Sequence, residues 1–186
     1  VYVEIKSCDD DTELMGKVLQ HAEGVKEANP SFYRDLIDMA EKDETQNLVL
    51  TRKVIDLVRR KIMRRHVTIQ SFSPLVCGFV RAEAPELRVE LLAHVDADSK
   101  MTWEQWERWA FLMRVHGFNC NYKALTEGRL ESLQEAGLTV SPYTVNELED
   151  MKRLVAWGVD GIISDKPDLA LSQSKTVNRA GGPKKQ

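Results

Sequence analysis

The chain begins Val1-Tyr2-Val3-Glu4-Ile5-Lys6, and these six residues alternate in character. Successive side chains of a strand point to opposite faces. Val1, Val3 and Ile5 therefore form an apolar face, and Tyr2, Glu4 and Lys6 a polar one. A strand with packing residues on one side and a carboxylate and an ammonium on the other suits a barrel whose mouth carries chemistry. The chain opens inside this strand, without a Met, and is expected to be the later part of a longer protein.

Working outward, strand and helix patterns alternate. A charged stretch runs from Asp9 to about Glu44, broken at Asn29-Pro30, with helical spacing at Phe32, Leu36 and Met39. Asn47 to Arg65 reads as an amphipathic helix turning Leu48, Val54, Leu57, Val58 and Ile62 to a core. Further strands are expected at Val67–Phe72, Leu87–Val95, Phe118–Lys123, Leu138–Val145 and Val159–Ser164. Helices are expected at Pro74–Ala82, Thr102–His116, Glu127–Ala136 and Glu147–Trp157. Thr126 and Asn146 are the expected N-caps of the last two, and Gly137 and Gly158 their stops. The tryptophans of Thr102–His116, at 103, 106 and 109, lie on one packing face. Residues 1–171 are expected to form one domain, and the basic tail Ser172–Gln186 to be disordered.

Six strands alternating with helices indicate an α/β fold with a parallel sheet. A doubly wound sheet and a (β/α)8 TIM-type barrel share that pattern. Polar residues gather at the strand ends: Glu4 and Lys6, Gln70 and Ser71, His94, Asn121 and Lys123, Tyr143 and Thr144, Ser164 and Asp165. Barrels carry catalytic groups there, which favours a barrel, incomplete at six β/α units.

The composition is that of an ordinary globular protein, with 26 basic and 29 acidic residues and a net charge of -3. That balance gives no support for nucleic-acid binding. No apolar run reaches the ~18 residues of a membrane span. Cys8, Cys77 and Cys120 are odd in number and widely spaced, which fits neither a disulfide framework nor a zinc site. Reduced thiols and a cytoplasmic location are the expectation.

Three segments resemble the glycerophosphodiester phosphodiesterase family. They are Val3-Glu4-Ile5-Lys6, Ile69-Gln70-Ser71-Phe72, and the run Gly137 to Asn146 continued by Gly158-Val159-Asp160-Gly161-Ile162-Ile163-Ser164-Asp165-Lys166-Pro167-Asp168. The last is similar to the family's Trp-Thr-Val-Asn followed by Gly-Val-Asp-Gly-Ile-Ile-Thr-Asp-x-Pro, with Tyr143 in place of Trp and Ser164 in place of Thr. The resemblance implies strands three to eight of the family barrel. The family's His-Arg-Gly, Glu-x-Asp and His-Asp motifs would lie upstream. Neither His motif occurs here, because His21, His66, His94 and His116 are followed by Ala, Val, Val and Gly. Glu41-Lys42-Asp43 has the letters Glu-x-Asp but sits in a charged stretch.

The implied chemistry is metal-dependent hydrolysis of a glycerophosphodiester to sn-glycerol 3-phosphate and an alcohol. By resemblance Glu4 is a ligand to Mg²⁺ or Ca²⁺, which prefer carboxylate oxygens, and Lys6 holds a phosphate oxygen. A Glu–Lys pair on an exposed edge strand is the plain alternative. Gln70 and Phe72 would contact substrate, with Asn121 and Tyr143 as further substrate contacts. Phe72 is equally a core residue by pattern. His94 is the first candidate for a substitute acid or base, although a lone His is more often a hydrogen-bonded wall residue. Two non-hydrolase readings remain, a non-catalytic phosphate-binding or scaffold module and a lyase-type phospholipase. Exposed barrel edges would favour self-association.

Overall fold

The computed structural model describes residues 1–61 and 66–172. The chain forms two compact units, one from Val1 to Phe118 and one beginning at Asn119. In the first, β1 (Tyr2–Glu4) is followed by three helices, α1 (Thr12–His21), α2 (Pro30–Lys42) and α3 (Gln46–Arg60). Then come β2 (Thr68–Ser71), α4 (Pro74–Glu83), β3 (Arg88–Ala93), α5 (Trp103–Leu112) and β4 (Gly117–Cys120), which carries the chain into the second unit.

The four strands lie side by side in chain order, β1-β2-β3-β4. β1 pairs in parallel with β2, and β2 with β3. Helix α4 packs on β2 and β3, and α2 and α3 both pack on α4. Successive crossovers thus stay on one side of the sheet. That is the winding of a barrel wall, whereas a doubly wound sheet reverses at a switch point.

Position explains composition in α4. Sandwiched between sheet and helices, it buries every residue from Pro74 to Val80. Ser73 accepts the N–H of Val76 as its N-cap, and Pro74 fills the first turn. Gly78 lets neighbours close in, since a Cβ there would stand 2.7 Å from Met113 Sδ and 2.8 Å from Leu36 Cδ2. Asn29 caps α2, Thr45 caps α3, and a Thr102–Gln105 capping box opens α5. Trp103, Trp106 and Trp109 are all buried, as their spacing requires. Trp106 Nε1 donates to the His94 carbonyl at 3.0 Å, and Trp103 meets Phe118 edge to face.

The buried face of α3 differs from the one expected. Leu48, Thr51, Ile55 and Val58 are buried, whereas Leu57 is 50 % exposed and Val54 is half-buried. The polar Asn47 is the reason the helix turns that way. Its amide is fully buried and accepts from Cys8 N at 2.7 Å and Cys8 Sγ at 3.2 Å, while donating to Asp9 O and Asp11 Oδ2. This one side chain ties the segment after β1 to the start of α3. Ile62 and residues 173–186 lie outside the described residues.

In the second unit, α6 (Glu127–Glu135) and α7 (Leu148–Trp157) are joined by extended segments. Thr126 caps α6 as expected, and Gly137 and Gly158 end the two helices at φ 84° and 86°. The expected strands Leu138–Val145 and Val159–Ser164 are not regular strands, so four strands are formed among the described residues instead of six. The cause is local. Val140 N–H donates to Asp160 Oδ2 at 2.8 Å, Ser141 N–H donates to Asn119 Oδ1 at 2.8 Å, and Pro142 has no N–H. Side-chain oxygens and a proline remove three successive ladder donors. What survives is a parallel bridge from Asn121 to Tyr143 and backbone bonds from Asp160 N to Val140 O, Ile163 N to Pro142 O and Val145 N to Ile163 O. Asn146 is not an N-cap either. Glu147 takes that place, while Asn146 Oδ1 accepts from Asp165 N and Ser164 Oγ, pinning the closing loop.

None of the described helices is long and apolar enough to cross a membrane. His116 links β3 to β4. Its N–H donates to Val89 O at 2.8 Å, and its Nδ1 accepts the Val89 N–H at 3.1 Å. Burial first, then the charge of Arg81, lowers the pKa of this imidazole. The native state therefore binds the His116 proton more weakly than the unfolded chain does. Its contribution to stability is complete above the ordinary histidine value of about 6.5 and is lost as pH falls below it.

Two outcomes are expected. Asn47→Ala should cost about 2–4 kcal/mol in urea unfolding, because it strands several buried donors and acceptors. The melting temperature should fall between pH 7 and pH 5.5, and His116→Asn, which keeps an acceptor for Val89 N–H, should flatten that slope.

Candidate active site

The parallel register sets Glu4 opposite Gln70, and Gln70 opposite Glu90 on β3. Neighbouring strands lie about 4.8 Å apart, so these three side chains form one row across the sheet, on the face opposite Ile69, Val89 and Leu91. Ile5 N donates to Gln70 O at 2.8 Å and Ser71 Oγ donates to Ile5 O at 2.7 Å, which holds the end of β1. Lys6 follows two residues after Glu4, on the same face by alternation.

Glu90 belongs to none of the sequence motifs, yet it is the carboxylate at the centre of this face. It is only 1 % exposed. Arg88 Nε donates to its Oε1 at 2.9 Å, and Gln70 Nε2 donates to its Oε2 at 3.3 Å. A carboxylate is purely an acceptor, so it fixes the Gln70 amide with NH₂ toward β3 and the carbonyl oxygen away from it. The signal that could have found Glu90 is a lone Glu inside Arg-Val-Glu-Leu-Leu-Ala, where a buried charge requires a partner.

Glu4 and Lys6 behave differently. Both are exposed, and among the described residues neither side chain forms an ion pair or hydrogen bond, not even with the other. Gln70 is 6 % exposed. Phe72 stands just past β2 and is 40 % exposed, so it is not core packing. His94 Nε2 lies 2.7 Å from Asp96 Oδ2, with both side chains about half exposed.

In the second unit, Asn121 and Tyr143 meet through the bridge, with Tyr143 N donating to Cys120 O at 2.9 Å and Tyr122 N to Tyr143 O at 2.8 Å. Asn121 Oδ1 accepts from Lys123 N at 3.0 Å, so this side chain already organises its own turn. Asp160 and Asp165 bond the closing loops.

Among the described residues no group of three or more His, Cys, Asp or Glu could hold a metal ion. Divalent Mg²⁺ and Ca²⁺ rely on several oxygens, and Glu4 has only an amide as its neighbour in the row. These residues do not by themselves fit a divalent cation.

A parallel α/β sheet wound in chain order, with a carboxylate at the end of its first strand and a lysine two residues on, is the architecture of part of a (β/α) barrel. The description of the glycerophosphoryl diester phosphodiesterase family matches residues 10–169, and the chain belongs to that family. The matched stretch includes Gln70, Phe72, Asn121 and Tyr143 and begins after Glu4 and Lys6. A glycerophosphodiester phosphodiesterase of Bacillus subtilis is 32 % identical over 121 residues, covering 62 % of this chain and 41 % of that protein. One from Caldanaerobacter subterraneus subsp. tengcongensis is 27 % identical over 122 residues, covering 64 % and 47 %. The chain thus spans about half the length of these curated relatives. The crystal structure of a glycerophosphodiester phosphodiesterase from Parabacteroides distasonis aligns with 97 % of this chain and 58 % of its own, at a TM-score of 0.62 and 18 % identity, which establishes a shared fold.

The two carboxylates of the row should separate on substitution. Glu90→Gln should lose about 1–3 kcal/mol in urea unfolding, since Arg88 loses its ion pair and the new amide turns an NH₂ toward one of the two donors, Arg88 or Gln70. Glu4→Gln should stay within about 0.5 kcal/mol of the parent, as surface substitutions do.

Proposed function

We propose that this chain is the part of a glycerophosphodiester phosphodiesterase that corresponds to strands three to eight of the family barrel, with residues 1–171 as its domain. The reaction adds water to phosphorus and breaks the bond from phosphorus to the alcohol oxygen. The water's oxygen stays on sn-glycerol 3-phosphate, and a proton ends on the departing alkoxide. Such chemistry needs charge neutralisation at the phosphoryl oxygens and a proton donor to the leaving group.

Lys6 is assigned the phosphate oxygens. The observation that carries this is its ammonium, exposed at the end of β1 and without a partner among the described residues, on the face that Glu4 and Gln70 share. Gln70 is assigned a hydrogen bond to substrate through its carbonyl oxygen, and Phe72 an apolar contact with the alcohol portion. Asn121 and Tyr143 are proposed as further substrate contacts on the same family resemblance. Glu4 is proposed as one ligand of a divalent cation, Mg²⁺ or Ca²⁺, whose remaining ligands the described residues do not supply. Self-association through the exposed edge of β1 is part of the proposal.

A second reading has its own support. The lack of a metal-binding group among the described residues favours a non-catalytic phosphate-binding module. Two measurements on the 186-residue chain separate these ideas. Calorimetric titration with sn-glycerol 3-phosphate should show binding that Lys6→Ala weakens about tenfold, as loss of a charge-assisted hydrogen bond does. Unchanged binding in that variant would remove Lys6 from the site. Release of glycerol 3-phosphate from glycerophosphocholine with Mg²⁺, Mn²⁺ or Ca²⁺ should lie roughly 10²–10⁴-fold below the ~10 s⁻¹ typical of enzymes, for want of the family's acid and base histidines. Turnover near that typical value would make His94 and its partner Asp96 the first residues to substitute.

A further inference from the structure

On the helical side of the sheet, away from Glu4 and Lys6, a groove of about 440 Å³ runs between α2 and the end of α4. That volume is in the range of small-molecule sites. Ile37, Ala82 and Pro85 give it apolar walls, and Tyr33, Arg34, Asp38 and Arg81 its polar groups.

Arg81 is the unusual member. Its Nε is buried and has no hydrogen-bond partner. Its terminal nitrogen reaches the Pro85 carbonyl only at 3.5 Å. The same nitrogen lies 3.4 Å from His116 Nε2. Because His116 Nδ1 accepts from Val89, the neutral ring carries its proton on Nε2. That approach therefore sets two donors against each other. Three arginines of this unit are neutralised, Arg52 by Glu41 and Glu83, Arg59 by Glu86 and Arg88 by Glu90. Arg81 and Arg34 form no ion pair among the described residues. Tyr33 spends its hydroxyl proton on Met113 O at 3.0 Å, and its phenol oxygen accepts from the Arg81 guanidinium, a neutral partner that leaves the charge unbalanced. Of the lining residues only Asp38 is acidic, so the groove holds two cations, one anion and a buried donor lacking an acceptor. A buried cationic group whose donors are not all made is costly, and an anion in the groove would neutralise the guanidinium.

We infer that this groove binds a small amphiphilic anion, a carboxylate or phosphate head on a short alkyl body. The head accepts from Arg81 with Arg34 at the rim, and the body lies along Ile37, Ala82 and Pro85.

The test is calorimetric titration of the 186-residue chain with octyl phosphate, octanoate and the uncharged octyl glucoside, all below their micellar concentrations. At least one of the two anions should bind saturably, one per chain and at least tenfold tighter than octyl glucoside. The tighter of the two identifies the head group. Arg81→Gln should weaken that binding at least tenfold and Arg34→Gln about threefold. Ala82→Trp, which fills the groove, should abolish it while leaving the circular-dichroism melt unchanged. Saturating sn-glycerol 3-phosphate, which is assigned to the β1 face, should leave it within twofold, which separates this groove from that face. Equal affinity for octyl glucoside, no loss on Arg81→Gln, no loss on both Arg34→Gln and Ala82→Trp, or displacement by sn-glycerol 3-phosphate would overturn the inference. So would an anion that binds only by dissociating a dimer in analytical ultracentrifugation, because a second copy would then be the occupant.

Discussion

The parallel pairing of β1 with β2 is the constraint on which the rest of the first unit depends. It joins residues 2–4 to residues 68–70 across an excursion of three helices. Closing a loop of that length costs about 4 kcal/mol in chain entropy by the logarithmic estimate. A three-residue strand offers few ladder bonds in return. The compensation is spread over the excursion. Asn47 ties the chain just after β1 to α3, Ser71 Oγ holds the Ile5 carbonyl, and α2 and α3 bury their apolar faces on α4.

Helix α4 is the other half of that arrangement. Covered by the sheet on one side and by two helices on the other, it has almost no solvated face through its first two turns. The polar groups there are few and satisfied. Cys77 and Cys120 are buried free thiols whose ionisation burial pushes upward, to about 12 for Cys120, so they act as small packing groups. Arg81, at the far end of the helix, is where this satisfaction breaks down.

The sheet face carrying Glu4, Gln70 and Glu90 shows how one residue type takes two roles within one row. Glu90 sits on an interior strand of the sheet, is desolvated, and is neutralised by Arg88, so it is committed to the fold and to orienting Gln70. Glu4 sits on the edge strand and is solvated, with no partner among the described residues, so its charge remains available. Strand position, and with it the cost of burying a charge, makes the difference.

Alternation over Tyr2–Ile5, the cap at Thr126, the tryptophan spacing of α5 and the stops at Gly137 and Gly158 were legible in the chain, whereas Val1, read as part of the apolar face, is 74 % exposed and the strand spans only Tyr2–Glu4. These are local rules, acting over a few residues. The family was legible as well, from the order of three short motifs. What local pattern could not decide was how polar groups pair across the fold. Asp160 and Asn119 draw the N–H groups of Val140 and Ser141 away from a ladder. Asn146 reads locally as a helix cap, yet its side chain reaches across to Asp165 and leaves the cap of α7 to Glu147. The rotation of α3 was set by the burial of Asn47, and the burial of Glu90 by Arg88 and Gln70. These depend on partners 2 to 39 residues away, and only tertiary structure brings the distant ones within hydrogen-bond distance and decides which of them water reaches.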